Sequence, residues 1–195
     1  MTAAPSARFK PYAAYKDSGV EWLGEIPAHW RLMALKRFIG FTTGWTPPTG
    51  EQRFYEGEHF WANIGDLGPR ILCETQKTIS DEAIRESRMK PSAPAALLFA
   101  FKLSVGAVSI TGASMYTNEA IATFLPGAAL DVVFLYWAAP VYVPQNAVEN
   151  IYGAQLLSRE RIANAWLCAP PTGEQRAIAA FLDRETARID ALVAK

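Results

Sequence analysis

The sequence predicts an α/β chain, α+β-like in layout: a twisted, mostly antiparallel sheet with short helices and many loops, followed by a long protruding C-terminal helix. Three observations predict it. Apolar, β-prone runs punctuated by Gly, Pro, Asn and Ser fill the middle of the chain, from Phe60 to Leu125. Two short segments each follow a serine suited to capping a helix, Ser80 and Ser158. From Glu174 to Lys195 there is neither Pro nor Gly, and apolar side chains recur at helical spacing.

The elements follow in chain order. Residues 1–14 mix Pro, Ala and Ser without periodicity and read as a flexible or loosely docked tail. Tyr15, Trp22 and Trp30 mark paired aromatic and charged elements over 15–37, with Pro27 forcing a turn. Leu32, Leu35, Phe38 and Ile39 then recur at helix-like spacing, up to Gly40. Thr42 to Gly50, TTGWTPPTG, is loop chemistry. Phe60 to Ile64 predicts a short strand, and Ile71 to Ile79 another strand or extended segment. Ser80, with Asp81 and Glu82 favouring the dipole of a first turn, predicts a helix through Arg88 that stops before Pro91.

Ala95–Ile110, with Gly106 inside, and Tyr116–Leu125 read as several strands of one sheet. Val132–Ala139 is apolar throughout, and periodicity leaves helix and strand both open. Ser158 caps a short helix across Arg159 to Ala165. Pro170 and Pro171 end that region, and Thr172 with Gln175 has the capping-box spacing. The final helix spans roughly 30 Å at ~1.5 Å per residue. Ile178, Leu182, Ile189 and Val193 share one of its faces, and a helix this long without a stop signal is expected to pack on something beyond its own domain. The expected organisation is a tail over 1–14, a domain over 15–169 and a helix beginning at 170–195.

Composition bounds the function. The chain has 195 residues, room for one large domain with a substantial core or a domain with an appended element. Lys plus Arg equals Asp plus Glu, 19 of each, which counts against a free-standing non-specific nucleic-acid binder. It leaves room for a reader that makes a few base contacts while a partner supplies the electrostatics. Cys73 and Cys168 stand far apart with no zinc spacing and are expected to be two buried free thiols. Met1–Lys10 has no apolar signal core and no eighteen-residue apolar stretch occurs, so no membrane partner is expected and the cytoplasm is the expected location.

An ordered set of segments resembles the specificity subunits of type I restriction-modification systems. YKDSGVEWLGEIPAHWRLMALK (15–36) is similar to the lead-in before a target-recognition domain of that family. GWTPPTG followed by FWANIGDLG resembles its glycine-x-threonine-proline loop and its tryptophan-to-aspartate strand. FKLSVGAVSI, TNEAI and YGAQLLS resemble later blocks in the same order, and APPTGEQRAIAAFLDRETARIDALVAK resembles the proline-proline turn and first helix after the domain. The resemblance runs from Tyr15 to Lys195 and rests on the order of the blocks rather than on any one of them.

The resemblance implies a subunit that is not itself an enzyme. It implies reading one half of a split sequence in double-stranded DNA and positioning methyltransferase subunits, which bind S-adenosylmethionine and methylate adenine; motor-nuclease subunits also join such complexes. No cofactor is expected on this chain. The family carries two recognition domains and two long helices, whereas this chain has one domain and the start of one helix, as in a half subunit, a truncated product or a fragment. A second copy or a second recognition half would pair through the helix face of Ile178, Leu182, Ile189 and Val193, and a self-paired half subunit would read a symmetric two-part target.

Five residues are candidates for touching DNA. Lys102 is the only cation between Pro91 and Leu157 and lies beside Ser104 and Gly106, a setting that suits a phosphate or simply a solvated strand end. Asn118 and Gln155 carry amides able to bond adenine bidentately, although an Asn more commonly ties down a turn. Thr46 fits either a phosphate contact or a turn cap before Pro47 and Pro48. Arg85, Arg88 and Lys90 suit the C-terminal dipole of their helix, and Arg53, Arg70 and Lys77 read as mixed-charge surface. From Glu51 to Lys90 six basic residues face eight acidic ones, so no basic patch shows in linear order.

Catalytic patterns are missing. His29 and His59 lack a nucleophile or metal-ligand partner at useful spacing and read as structural, and Asp66 as a turn or cap residue. No glycine-rich nucleotide loop occurs, nor the FxGxG and NPPY patterns of a methyltransferase. The competing reading is an assembly module that binds methyltransferase subunits without reading DNA.

Overall fold

The computed structural model describes residues 11–149 and 155–194. β1 (Tyr15–Asp17) pairs antiparallel with β2 (Glu25–Pro27), and β3 (Arg31–Ala34) follows. The helix expected from Leu32, Leu35, Phe38 and Ile39 is replaced by this strand and one 3-10 turn over Leu35–Arg37. Backbone groups of Arg31–Ala34 are satisfied by Trp166–Ala169, with Trp166 opposite Ala34 and Ala169 opposite Arg31. A distant partner thus overrides the local spacing.

β4 (Phe41–Thr43) takes the first residues of the expected loop, and β5 (Tyr55–Ala62) begins earlier than the Phe60 start expected. β6 (Ile71–Leu72) and β7 (Thr78–Ile79) split the extended segment. α1 (Asp81–Ser87) starts as expected, with Ser80 Oγ accepting from the Ala83 N–H at 3.3 Å. β8 (Leu97–Ala100), β9 (Val108–Thr111), β10 (Tyr116–Thr117) and β11 (Ile121–Phe124) make up the expected strand region.

α2 (Val132–Tyr142) settles the open segment as a helix, capped by Asp131, whose Oδ1 accepts from Val133 N–H at 2.9 Å. β12 (Val148–Glu149) pairs with β13 (Gln155–Leu156). α3 (Arg159–Asn164) is capped by Ser158, then come β14 (Trp166–Ala169) and α4 (Thr172–Val193).

The architecture is mixed α/β, dominated by antiparallel open sheets. The largest has the order β4-β11-β8-β9-β6, antiparallel except for β6 on β9. A smaller sheet, β10-β5-β7, lies next to it in the chain's course through Tyr116–Phe124. β8 is buried on both faces: Leu97 and Phe99 join one core with Leu35, Phe124, Leu135 and Leu167, while Leu98 joins another with Ala62, Leu72, Met115 and Ile121. This follows from the two-residue alternation of a strand, and α2 covers the first face by packing on β8 and β9. A third cluster, Phe54, Trp61, Ile79, Ala83 and Tyr116, roots α1 on β5.

α4 begins without the expected capping box. Pro171 occupies the cap position and makes no side-chain bond there, and Thr172 is already helical. Gln175 is buried and ties three segments together: its Nε2 donates to Ala129 and Pro170 carbonyls at 3.0 and 2.9 Å, and its Oε1 accepts from Asp131 N–H at 2.8 Å. Glu174 accepts from Tyr12 Oη, from Trp30 Nε1 at 3.1 Å, and bonds His29 Nε2 at 2.9 Å.

About two turns further, Asp183 receives both Arg70 nitrogens at 2.5 and 2.8 Å and Trp137 Nε1 at 2.7 Å. Arg70, about a third exposed, is thus paired with an acid as a mixed-charge surface implies, and its guanidinium also lies over the Tyr136 ring, 4.9 Å from the centroid. Beyond these anchors the helix leaves the body, and Ile189, Leu192 and Val193 are 58, 66 and 81 % exposed.

Cys168 is buried in β14, where burial pushes its thiol up to about 11. Cys73 is exposed, contrary to expectation, since it follows β6, a two-residue strand at the edge of the sheet. Among the described residues no helix is long and apolar enough to cross a membrane, and no His, Cys, Asp and Glu cluster could hold a metal ion.

Candidate nucleic-acid interface

Three loops adjoin at the junction of the two larger sheets: residues 44–51 after β4, the turn 118–120 between β10 and β11, and residues 101–107 between β8 and β9. Gly44 makes the junction possible. A Cβ there would lie 1.7 Å from the Thr117 carbonyl oxygen, so only glycine lets the chain pass and Trp45 N–H reach that oxygen at 3.0 Å. The same loop is held from behind, as Trp61 Nε1 donates to Trp45 O at 3.1 Å and Tyr55 Oη to Pro47 O at 2.6 Å.

Thr46 projects from this braced loop and its hydroxyl donates to Glu119 Oε2. Glu119 belongs to the second loop. Burial raises its pKa, but the Thr46 hydroxyl, its own backbone N–H and the Lys102 charge outweigh that and leave the carboxyl below its ordinary range. Asn118 accepts from Ala120 N–H at 3.1 Å through Oδ1, which is the turn-tying use of an asparagine. Its backbone N–H is fixed by Ala62 O at 2.9 Å.

The second loop joins the third through Phe101 N–H to Ala120 O at 3.0 Å. Lys102 and Ser104 are exposed there, and the Lys102 ammonium lies 5.8 Å from the Phe101 ring centroid. Four of the five sequence candidates, Thr46, Lys102, Ser104 and Asn118, thus fall in adjoining loops. Gln155 lies apart in β13, paired with Glu149, and its side chain is outside the described residues, as are the first residues of YGAQLLS.

A groove of about 360 Å³ continues this face, lined by Thr42, Thr43, Trp45, Thr117, Arg88 and Lys90. Arg88 closes α1 in a left-handed conformation, φ 54°, with its N–H on Ile84 O at 2.9 Å. This turn swings residues 88–90 against β4. Two other basic groups nearby are engaged: Arg53 bridges Glu51 and Glu82, and His59 meets Asp81 at 2.8 Å. Among the described residues Arg88, Lys90 and Lys102 form no ion pair, so folding places cations on the loop face although the linear count is acidic. Asp66 is buried and accepts from Asn63 and Gln76 N–H groups, each at 2.9 Å, in a capping role.

No protein-family model matches the chain. Solved structures do. The HsdS subunit from Thermoanaerobacter tengcongensis superposes with a TM-score of 0.68 at 19 % identity, over 92 % of this chain and 42 % of that one. A chain from a study of complex assembly and conformational transition of a type I restriction-modification system gives 0.68 at 21 % identity, over 86 and 40 %. The fold is that of a type I specificity subunit. The type I restriction-modification S subunit from M. genitalium agrees less closely, with a TM-score of 0.56 at 14 % identity over 85 and 41 %. The chain spans about two fifths of the length of each.

Within this specificity-subunit fold, sequence reasoning missed two contributors to the loop face. Arg88 and Lys90 read as helix-end cations, and their place in the groove depends on the left-handed turn. The available signal was the acid-free stretch from Ser87 to Pro91, which ends a helix on two cations. Ile178 faces the main core and Leu182 is half-buried, so the expected partner stripe is exposed only from Ile189 onward.

Proposed function

We propose that this chain reads double-stranded DNA as the specificity component of a type I restriction-modification assembly, without catalytic chemistry of its own. It reads one half of a split target through the loops of Thr46, Lys102 and Asn118, and it positions adenine methyltransferase subunits that carry S-adenosylmethionine. The observation that carries the reading is the meeting of these loops beside the Arg88 and Lys90 groove, in a chain with the specificity-subunit fold. Lys102, Arg88 and Lys90 supply phosphate contacts that fix register; Ser104 and the Asn118 turn present hydrogen-bonding groups nearby. The recognition unit covers 15–169, and α4 carries the surface for a second half or a partner subunit through Ile189 and Val193.

Co-expression with a methyltransferase subunit, followed by sequencing of methylated sites, tests the reading. A split methylated-adenine motif is expected, and Lys102→Glu in the assembled complex is expected to weaken duplex binding. A stable complex that leaves no motif identifies an assembly module instead, a reading favoured by the chain's zero net charge. Failure to form any complex overturns both.

A further inference from the structure

An exposed leucine is ordinary on a protein surface, but Leu103 is 91 % exposed and stands on a backbone that disfavours it. Its φ is 61°, the left-handed region where a Cβ crowds the following carbonyl and where glycine or asparagine is at home. The loop holds it there by a set of short-range bonds. Val105 N–H bonds Leu103 O at 2.9 Å, Ala107 N–H bonds Ser104 O at 3.1 Å, and Gly106 N–H returns to Ala100 O at 3.0 Å. These bonds close the β8–β9 connection and point residue 103 away from every core cluster. Strain of this kind, held by its surroundings, marks positions whose side-chain placement matters.

The neighbours say what it meets. Lys102 precedes it and Ser104 follows, and the loop is bonded to the turn that holds Glu119 and faces Thr46. An apolar tip flanked by a cation and a hydroxyl matches the major-groove edge of an A·T pair, which offers the thymine C5-methyl beside phosphates and hydrogen-bond acceptors. We infer that Leu103 is a specificity-determining residue that packs on a thymine methyl group while Lys102 holds the adjoining phosphate. The inference rests on the DNA-reading function proposed above and names one of its base contacts.

The test uses the assembled complex and a duplex carrying the motif found by methylation sequencing, with each thymine replaced in turn by uracil, which lacks the methyl. Wild-type complex is expected to lose affinity at one position by about fourfold, the weight of one buried methyl. Leu103→Ala is expected to bind the unmodified duplex with a similar loss and to ignore uracil at that position. Its melting temperature, measured alongside, is expected to match wild type because the side chain has no packing to lose. A Leu103→Ala complex that still senses every uracil as wild type does, or a wild-type complex indifferent to all of them, overturns the assignment of Leu103 while leaving sequence-specific binding intact. A wild-type complex that prefers no duplex over a scrambled one overturns the DNA reading itself.

Discussion

Arg70 and Asp183, 113 residues apart, share two N–H···O bonds of 2.5 and 2.8 Å, and Trp137 closes on the same carboxylate. The pair joins the loop before β6 to the middle of α4. Both side chains are about a third exposed, 35 and 34 %, so solvent screens part of their attraction. A coupling of roughly 1 kcal/mol is expected from a double-mutant cycle of Arg70→Ala and Asp183→Ala, read by urea denaturation. The single variants are expected to speed amide exchange in α4 around Asp183 more than in α2. Unchanged exchange there shows that the Glu174 and Gln175 bonds and the packing of Ile178 and Ala179 fix the helix without this pair.

Arg88 separates stability from binding. At φ 54° it occupies a helix-ending position that suits glycine. Replacing it relieves about 1–2 kcal/mol of left-handed strain, of which glycine's greater freedom in the unfolded chain takes back about 0.5–1 kcal/mol. Arg88→Gly is therefore expected to raise the melting temperature slightly. The same change removes the phosphate contact proposed for Arg88, so the slope of log affinity for duplex DNA against log salt is expected to fall by about one. A variant more stable and equally tight in binding removes Arg88 from the interface.

Glu174 predicts an acid-side loss of stability. Burial alone raises its pKa, yet the bonds from Tyr12, His29 and Trp30, with the nearby His29 charge, leave it lowered. A carboxyl lowered on folding contributes stability that is fully present above its unfolded pKa, about 4.3, and is lost as pH falls through the folded value. Stability against urea is expected to drop over that interval for the wild type. Glu174→Gln is expected to be less stable at pH 7 and to show a shallower drop. Parallel profiles for the two proteins contradict the assignment.

Legibility in the sequence followed the range of the interactions. α1 and α3 were readable because Ser80 and Ser158 cap helices within their own four residues, a local device. The segment around Val132 stayed open because a helix buried on most sides has no polar stripe to betray its period, though Asp131 was the cap that marked it. Arg31–Ala34 looked helical because its strand partner lies at the other end of the chain. Thr172 and Gln175 had the right spacing for a cap, and only the folded position of Asp131 and Ala129 gives Gln175 a different use. Of the candidate site, Thr46, Lys102 and Asn118 were legible as polar residues in loop sequence. Arg88 and Lys90 were not, because their contribution depends on a backbone turn and on the packing of α1 against β5.

The pairing of β3 with β14 also sets an order of events during synthesis. Ala34 leaves the ribosome well before Trp166, and among the described residues β3 has no other strand partner, so it stays unpaired until β14 is made. Closing so large a loop costs entropy that no local contact repays in advance, which makes this pair a late and slow step. Until then the waiting strand is a template for any passing chain, and Arg31, exposed on it, supplies a charge of the kind that discourages such pairing. The nascent chain thus depends on a strand made 132 residues later to pair an early one.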